Sequence, residues 1–242
     1  MLAAGVFAGG INTVVGSGTL LTFPVLLAFG YSPVVANISN GLGLVPGSVS
    51  GAFGYRRELA GQRTRLLRLG AVTAAGAVVG AVLLLVLPPG AFETIVPVLI
   101  LLAVVLVILQ PWIARMLASR QIHRHEHGGP VLLLGIFCTA VYGGYFGAAQ
   151  GVLALALMGI MLDEDLHRLN AVKNVLTATA NLVSGLVFVF VADVAWLVVL
   201  LLAVGSVVGG QIGARYGRRL RPTWLRALVV VVGLAAIVQL LS

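Results

Sequence analysis

MLAAGVFAGGINTVVGSGTLLTFPVLLAFGYSPVVANISNGLGLVPGSVSGAFGY, the stretch Met1–Tyr55, contains no Asp, Glu, Lys, Arg or His. About 20 apolar helical residues cross a hydrocarbon core about 30 Å thick, so this segment alone is long enough to enter or cross a bilayer twice. Further charge-free runs follow at Leu69–Phe92, Thr94–Ala114, Gly128–Leu162, Asn174–Ala192, Val194–Ala214 and Ala227–Ser242. They are continuously apolar, whereas a membrane β-barrel needs short segments that alternate apolar and polar. The expected fold is therefore an all-α, polytopic transmembrane helical bundle. Composition agrees: 60% of the 242 residues are hydrophobic and 9% charged, against about 45–50% apolar and about 25% charged in a soluble domain. A water-soluble fold is excluded. No basic region or small-residue cleavage site precedes the first apolar run, so no removable signal peptide is expected. Cys138 is the single cysteine, which rules out an intrachain disulfide.

The sequence echoes itself. Gly5-Val6-Phe7 recurs as Gly135-Ile136-Phe137, Val49-Ser50-Gly51 as Val183-Ser184-Gly185, and Gly76-Ala77-Val78-Val79-Gly80 as Gly205-Ser206-Val207-Val208-Gly209, at offsets of 130, 134 and 129. The expected organisation is a first membrane repeat over 1–114, a cytoplasmic connector over 115–129 and a second repeat over 130–242. Charge then orients the two halves. Arg56, Arg57, Arg63, Arg65 and Arg68 lie between the second and third apolar segments, where the second half has only Asp193. Conversely, Arg215, Arg218, Arg219, Arg221 and Arg226 occupy the link whose counterpart holds only Glu93. Corresponding loops with opposite charge habits point to an inverted-topology duplication, because Lys and Arg stay in the cytoplasm.

Each half must then cross an odd number of times. Met1–Gly30 and Gly128–Leu162 are too long for one straight span, since the 35 residues of the latter would rise roughly 52 Å. Both are interrupted by glycine, at Gly16-Ser17-Gly18-Thr19 and between Gly143 and Gly151. Each reads as a helical hairpin of two short halves, re-entrant or crossing as two short spans. All fifteen Lys and Arg then fall on one face, whereas a simple eight-span bundle divides them 8 to 7.

Glycine-broken helices in matching positions of inverted halves point to a transporter's substrate site. A helix that restarts inside the membrane presents unpaired amides and the positive end of its dipole, which suits an anion. Gly16, Ser17, Gly18 and Thr19 are candidates in the first half, and Gly147, Gln150 and Gly151 in the second; close packing by small residues is the competing explanation. Asn37, Asn40, Lys173 and Asn174 join them, since polar groups in apolar helices turn toward the bundle interior or a cavity. Lys173, the only lysine, either snorkels to the cytoplasmic face or projects inward as an anion partner. No acid sits at the centre of a span, because Glu93 and Asp193 fall in external links and Asp163-Glu164-Asp165 in a connector. A buried proton relay or divalent-cation path is disfavoured on that ground. His123, His125 and His127 alternate in the connector, and a metal-cation exporter using them is the second reading. A membrane scaffold without a transported solute is the third. No nucleotide loop, zinc spacing or Ser-His-Asp arrangement suggests an enzyme, and no cofactor is expected.

The order Gly9-Gly10, Gly16-Ser17-Gly18-Thr19-Leu20-Leu21-Thr22-Phe23-Pro24, Val35-Ala36-Asn37 and Ser50-Gly51-Ala52-Phe53-Gly54-Tyr55-Arg56-Arg57 resembles the TauE/SafE family of sulfite-exporter-like permeases across essentially the whole chain. That resemblance implies movement of a small anion, such as sulfite or an organosulfonate, across the cytoplasmic (inner) membrane, with export favoured. Expected partners are a small anionic substrate and the lipid bilayer, with a homo-oligomer as an option and no nucleic acid. Both termini are expected outside. Reporter fusions test this: activity of an external reporter at both ends is the expected result, and a cytoplasmic C-terminus would sink the inverted arrangement.

Overall fold

The computed structural model describes residues 1–118, 129–216 and 222–241. It is all helical among those residues: α1 (Leu2–Val14), α2 (Thr19–Ala28), α3 (Pro33–Gly54), α4 (Arg63–Val86), α5 (Pro89–Ala118), α6 (Pro130–Tyr145), α7 (Gln150–Met161), α8 (Leu166–Val189), α9 (Trp196–Tyr216) and α10 (Pro222–Leu241). Pro33 and Pro130 start their helices, where the missing amide costs nothing. Asp165 caps α8, its carboxylate accepting from the His167 amide at 2.8 Å and the Arg168 amide at 3.4 Å.

Four helices are long and apolar enough to span a membrane, over Arg63–Val86, Gly90–Trp112, Leu166–Val189 and Trp196–Tyr216. By contrast α1, α2, α6 and α7 have 13, 10, 16 and 12 residues, roughly 15–24 Å at 1.5 Å per residue, less than the hydrocarbon core. They form the two expected hairpins. The first breaks at residues 15–18, and the chain doubles back so that Gly18 abuts Ala8 and Asn12. The second breaks at 146–149, and α7 returns along α6 with Leu157 against Gly135. Large exposed apolar side chains, including Phe7, Leu101, Leu134, Leu200 and Val231, cover the exterior, with Trp112, Trp196 and Trp224 also exposed. An apolar exterior of this kind suits lipid.

Small residues bring the long helices into backbone contact. On α9, Gly205, Gly209 and Gly213 meet Val6, Gly10 and Thr13 of α1. One residue along, Ser206, Gly210 and Ala214 meet Gly47, Gly51 and Gly54 of α3. The fourfold spacing on each face is what allows ridges of adjacent helices to close together. On the other side Gly76 and Gly80 of α4 receive α6 at Phe137, Val141 and Gly144. The environments of Gly76 and Gly80 thus match those of Gly205 and Gly209, at the expected offset of 129. The Gly5-Val6-Phe7 match does not hold in space. Gly5 packs on Leu202 and Gly205, whereas Gly135 packs on Leu157. The residue that occupies the place of Val6 is Val141, an offset of 135, because glycine triplets can be matched in several registers and only packing selects one.

Directions follow from these contacts. Helices α1, α3 and α9 run parallel, as do α4, α6 and α8, while α3 and α8 run antiparallel, with Tyr55 beside Ala171 and Leu42 beside Gly185. The C-terminal ends of α3 and α9 therefore lie with the N-terminal ends of α4 and α8. This gathers Arg56, Arg57, Arg63, Arg65, Arg68, Arg168 and Arg215 at one end of the bundle. Glu164 ties that end together, bonded to Arg65 at 2.9 Å and Arg168 at 2.8 Å. Burial alone would raise its pKa, but the Arg65 hydrogen bond and the Arg168 charge hold it below the usual carboxylate value. Glu93 lies within α5 and not in a link before it, and α5 continues past residue 114 to Ala118. His123, His125, His127, Arg120, Arg124, Arg218, Arg219 and Arg221 fall outside the described residues.

A methyl group on Gly209 would overlap the Val6 carbonyl oxygen, whereas nothing lies within 4 Å of one on Gly41. Thermal unfolding in detergent should therefore separate two substitutions. Gly209→Val costs about 3 kcal/mol or prevents folding, and Gly41→Ala is neutral or stabilises by up to about 1 kcal/mol.

Candidate functional site

The tips of the two hairpins meet. A Cβ on Gly16 would lie 2.9 Å from the Gly151 Cα, and one on Gly151 would lie 2.8 Å from the Gly16 Cα. Glycine is required here twice over, since Gly16 also has φ +88, a conformation that a side chain disfavours. In the second tip Gly147 (φ +81) and Ala149 (φ +58) make the turn.

Breaking α1 leaves its last carbonyls without helical partners. The Val15 and Gly16 amides both bond back to the Ile11 carbonyl, at 2.7 and 3.1 Å, so the Asn12 and Thr13 carbonyls are open. Helix α8 fills them. Lys173, fully buried, donates from Nζ to the Asn12 oxygen at 3.0 Å and to the Thr13 oxygen at 3.1 Å. Asn170 and Asn174 donate to the same Thr13 oxygen at 3.3 and 3.4 Å. An ammonium at the negative end of a helix dipole is favourably placed. Lys173 therefore does not snorkel to the surface. It turns inward, and its stem lies against Gly151, so that α1, α7 and α8 meet on one side chain.

The other sequence candidates arrange themselves around this point. Asn40 donates to the Thr19 hydroxyl at 3.1 Å and accepts from the Thr22 hydroxyl. Asn12 accepts from the Gly18 amide at 3.4 Å and donates to the Ser48 hydroxyl at 3.0 Å. The Ser17 and Thr19 amides find no backbone acceptor among the described residues. Gln150 is buried against Gly143, where a Cβ would strike its side chain. Asn37 stands apart, donating to the Tyr145 carbonyl at 2.9 Å. It lies beside an aromatic group in which Phe146 meets Phe23 edge-on at 5.3 Å and Phe92 at 6.2 Å.

Several buried polar atoms around the tips have no partner among the described residues: the hydroxyls of Thr13, Ser17 and Thr177, and the side-chain oxygens of Gln150, Asn170 and Asn174. Unsatisfied buried groups are rare in proteins and mark places where water, an ion or a ligand belongs. Asn12, Thr13, Thr22 and Thr177 are absent from the sequence candidates. Their signal was the one used for Asn40, a polar residue inside an apolar helix. Among the described residues no group of three or more His, Cys, Asp or Glu side chains comes together.

The family model described as "Sulfite exporter TauE/SafE" matches residues 1–240. The chain is 28% identical over 235 residues to "Probable membrane transporter protein YfcA" of Escherichia coli (strain K12), covering 97% of this chain and 86% of that protein. It is 26% identical over 244 residues to "Probable membrane transporter protein ORF9" of Sinorhizobium sp, covering 100% of this chain and 91% of the relative. A "Probable membrane transporter protein" of Haemophilus influenzae is 24% identical over 234 residues. No solved structure matches the chain.

Replacing Lys173 by methionine keeps the stem but removes three donors, stranding the Asn12 carbonyl. The expected loss is about 1–3 kcal/mol of stability, read as a lowered melting temperature in detergent. A lysine that merely reached the surface would give less than about 0.5 kcal/mol.

Proposed function

The chain belongs to the sulfite exporter TauE/SafE family of membrane transporters, and from that membership we propose that it is a permease for a small oxyanion, sulfite, an organosulfonate or a related ion. It is a transporter and not an enzyme. One observation carries the substrate reading. The Lys173 amino group is buried where the two broken hairpins touch, and its hydrogen-bond partners are carbonyl oxygens, not carboxylates. A buried charge without a counter-charge is costly, and an anion arriving at the tips supplies one. The unpartnered hydroxyls of Ser17, Thr13 and Thr177 are donors for its oxygens. The unpartnered amide oxygens of Asn170 and Asn174 are acceptors, which suits an oxyanion that carries a proton.

The transport cycle in this reading is alternating access between two inverted-topology repeats. Three features support the inversion. Helices α3 and α8 are antiparallel, the neighbours of Gly76 and Gly80 repeat those of Gly205 and Gly209, and the two hairpins open toward opposite ends of the bundle. In this reading the arginine-rich end is the cytoplasmic one, which the positive-inside rule supports, both termini are outside, and the cytoplasmic membrane is the one the family membership favours. Rocking of one repeat against the other would part Gly16 from Gly151 and open the tips to each side in turn. Export is the direction the family name favours.

Uptake of labelled sulfite, a sulfonate and a divalent metal into proteoliposomes tests the reading. Saturable flux of an anion is expected, reduced at least about tenfold by Lys173→Gln, since a hydrogen bond to a charged group contributes about 1.5–3 kcal/mol. Gly18→Leu, which drives a side chain into Ala8 and Asn12, should abolish it. Metal flux without anion flux, or anion flux indifferent to Lys173, would overturn the proposal.

A further inference from the structure

A second cationic site lies away from the hairpin tips. At the arginine-rich end a cavity of about 730 Å³ opens between the last turns of α3 and α9, lined by Gly54, Arg56, Arg57, Glu58, Gln211 and Arg215 among others. Gly54 packs directly on Ala214, so the two helices are pressed together and the cavity sits in the notch above their contact. The three arginines are exposed and outnumber the one carboxylate, that of Glu58. Two of them are steadied by rings: the Arg56 guanidinium lies 4.9 Å from the Phe53 ring centroid, and that of Arg215 lies 5.9 Å from that of Tyr216.

We propose that this notch binds the headgroup of an anionic phospholipid. A free oxyanion would need only the arginines. What distinguishes a lipid is the surface leading away from them. Val49 and Phe53 on α3 are both substantially exposed, Phe53 at 61%, and the Phe53 ring lies beneath the Arg56 guanidinium that lines the notch. The two are four residues apart, so they share one outward face of α3 that leads back from its arginine-bearing end toward the middle of the bundle. The site is therefore amphipathic: on the topology proposed above, which makes this end cytoplasmic, a cationic mouth stands over an apolar strip about 6 Å long, which suits the first part of an acyl chain. Basic pockets between membrane helices on that side are suited to anionic headgroups. Gln211 uses its amide nitrogen on the Ser50 carbonyl and hydroxyl, both at 2.9 Å. Its side-chain oxygen points an acceptor toward headgroup hydroxyls such as those of phosphatidylglycerol, whereas the Glu58 carboxylate opposes the headgroup's negative charge.

The test is native mass spectrometry of the purified full chain with phosphatidylglycerol, phosphatidylethanolamine or inorganic phosphate added. Phosphatidylglycerol should be retained over phosphatidylethanolamine. Each arginine contributes about fivefold at an anionic headgroup, so Arg56→Gln with Arg215→Gln should weaken retention about 25-fold. Arg63→Gln with Arg68→Gln, exposed arginines on the same end but outside the notch, should change it less than about twofold. Glu58→Gln should strengthen it, a gain that misfolding cannot imitate. Equal losses in the two arginine pairs, or no preference for phosphatidylglycerol, would overturn the proposal. So would phosphate binding that displaces the lipid with the same arginine dependence, which would assign the notch to a free oxyanion.

Discussion

Two carbonyl oxygens, those of Asn12 and Thr13, end a helix in the interior of the bundle, and the architecture is organised around satisfying them. In water such groups would be solvated at no cost. In an apolar interior each unpaired carbonyl is expensive, so the break at residues 15–18 can exist only because another element brings donors to it. Helix α8 does so with Asn170, Lys173 and Asn174, three side chains within little more than one turn, all converging on the Thr13 oxygen. The broken helix, the buried lysine and the close approach of Gly151 are thus one structural solution. Removing any of them leaves the other two without a reason.

The long helices supply the frame that holds this arrangement. Helix α9 carries two stripes of small residues displaced by one position, so one face admits α1 and the other admits α3. Lipid offers no hydrophobic drive for helices to associate, because its tails are as apolar as leucine, so close packing must substitute. The position of Asn12 is a direct product of that packing. With Gly5 and Gly9 of α1 against α9, the end of α1 is delivered beside Ser48 of α3 and beneath Lys173 of α8.

Much of this frame was legible in the sequence. The charge-free stretch Met1–Tyr55 and the runs that follow can only be apolar helices, and the glycine clusters marked both breaks, since few other residues interrupt a membrane helix so cheaply. Arginine placement was readable for a similar reason: a guanidinium in hydrocarbon is costly enough that its position reports a helix end. Tertiary register was not legible. Gly5 and Gly135 look alike as letters, but one meets α9 and the other Leu157, and nothing local distinguishes them. The role of Lys173 was likewise hidden, because its partners are main-chain carbonyls, which leave no mark in a residue alphabet. Asn12 and Thr13 carry the same polar-in-apolar signal as Asn40, but their decisive groups are again main-chain carbonyls.

The bond from Lys173 to Asn12 spans 161 positions of the chain, and the seat of α1 on α9 is longer still. During synthesis the N-terminal helix therefore emerges with its end carbonyls open and its packing partner unmade. Both wait until most of the polypeptide has entered the bilayer. The first half cannot mature as an autonomous unit, and the nascent chain must be sheltered, by the insertion machinery or by water at the open helix end, until α8 and α9 arrive. Assembly of this transporter is in that sense a closing event governed by its last third.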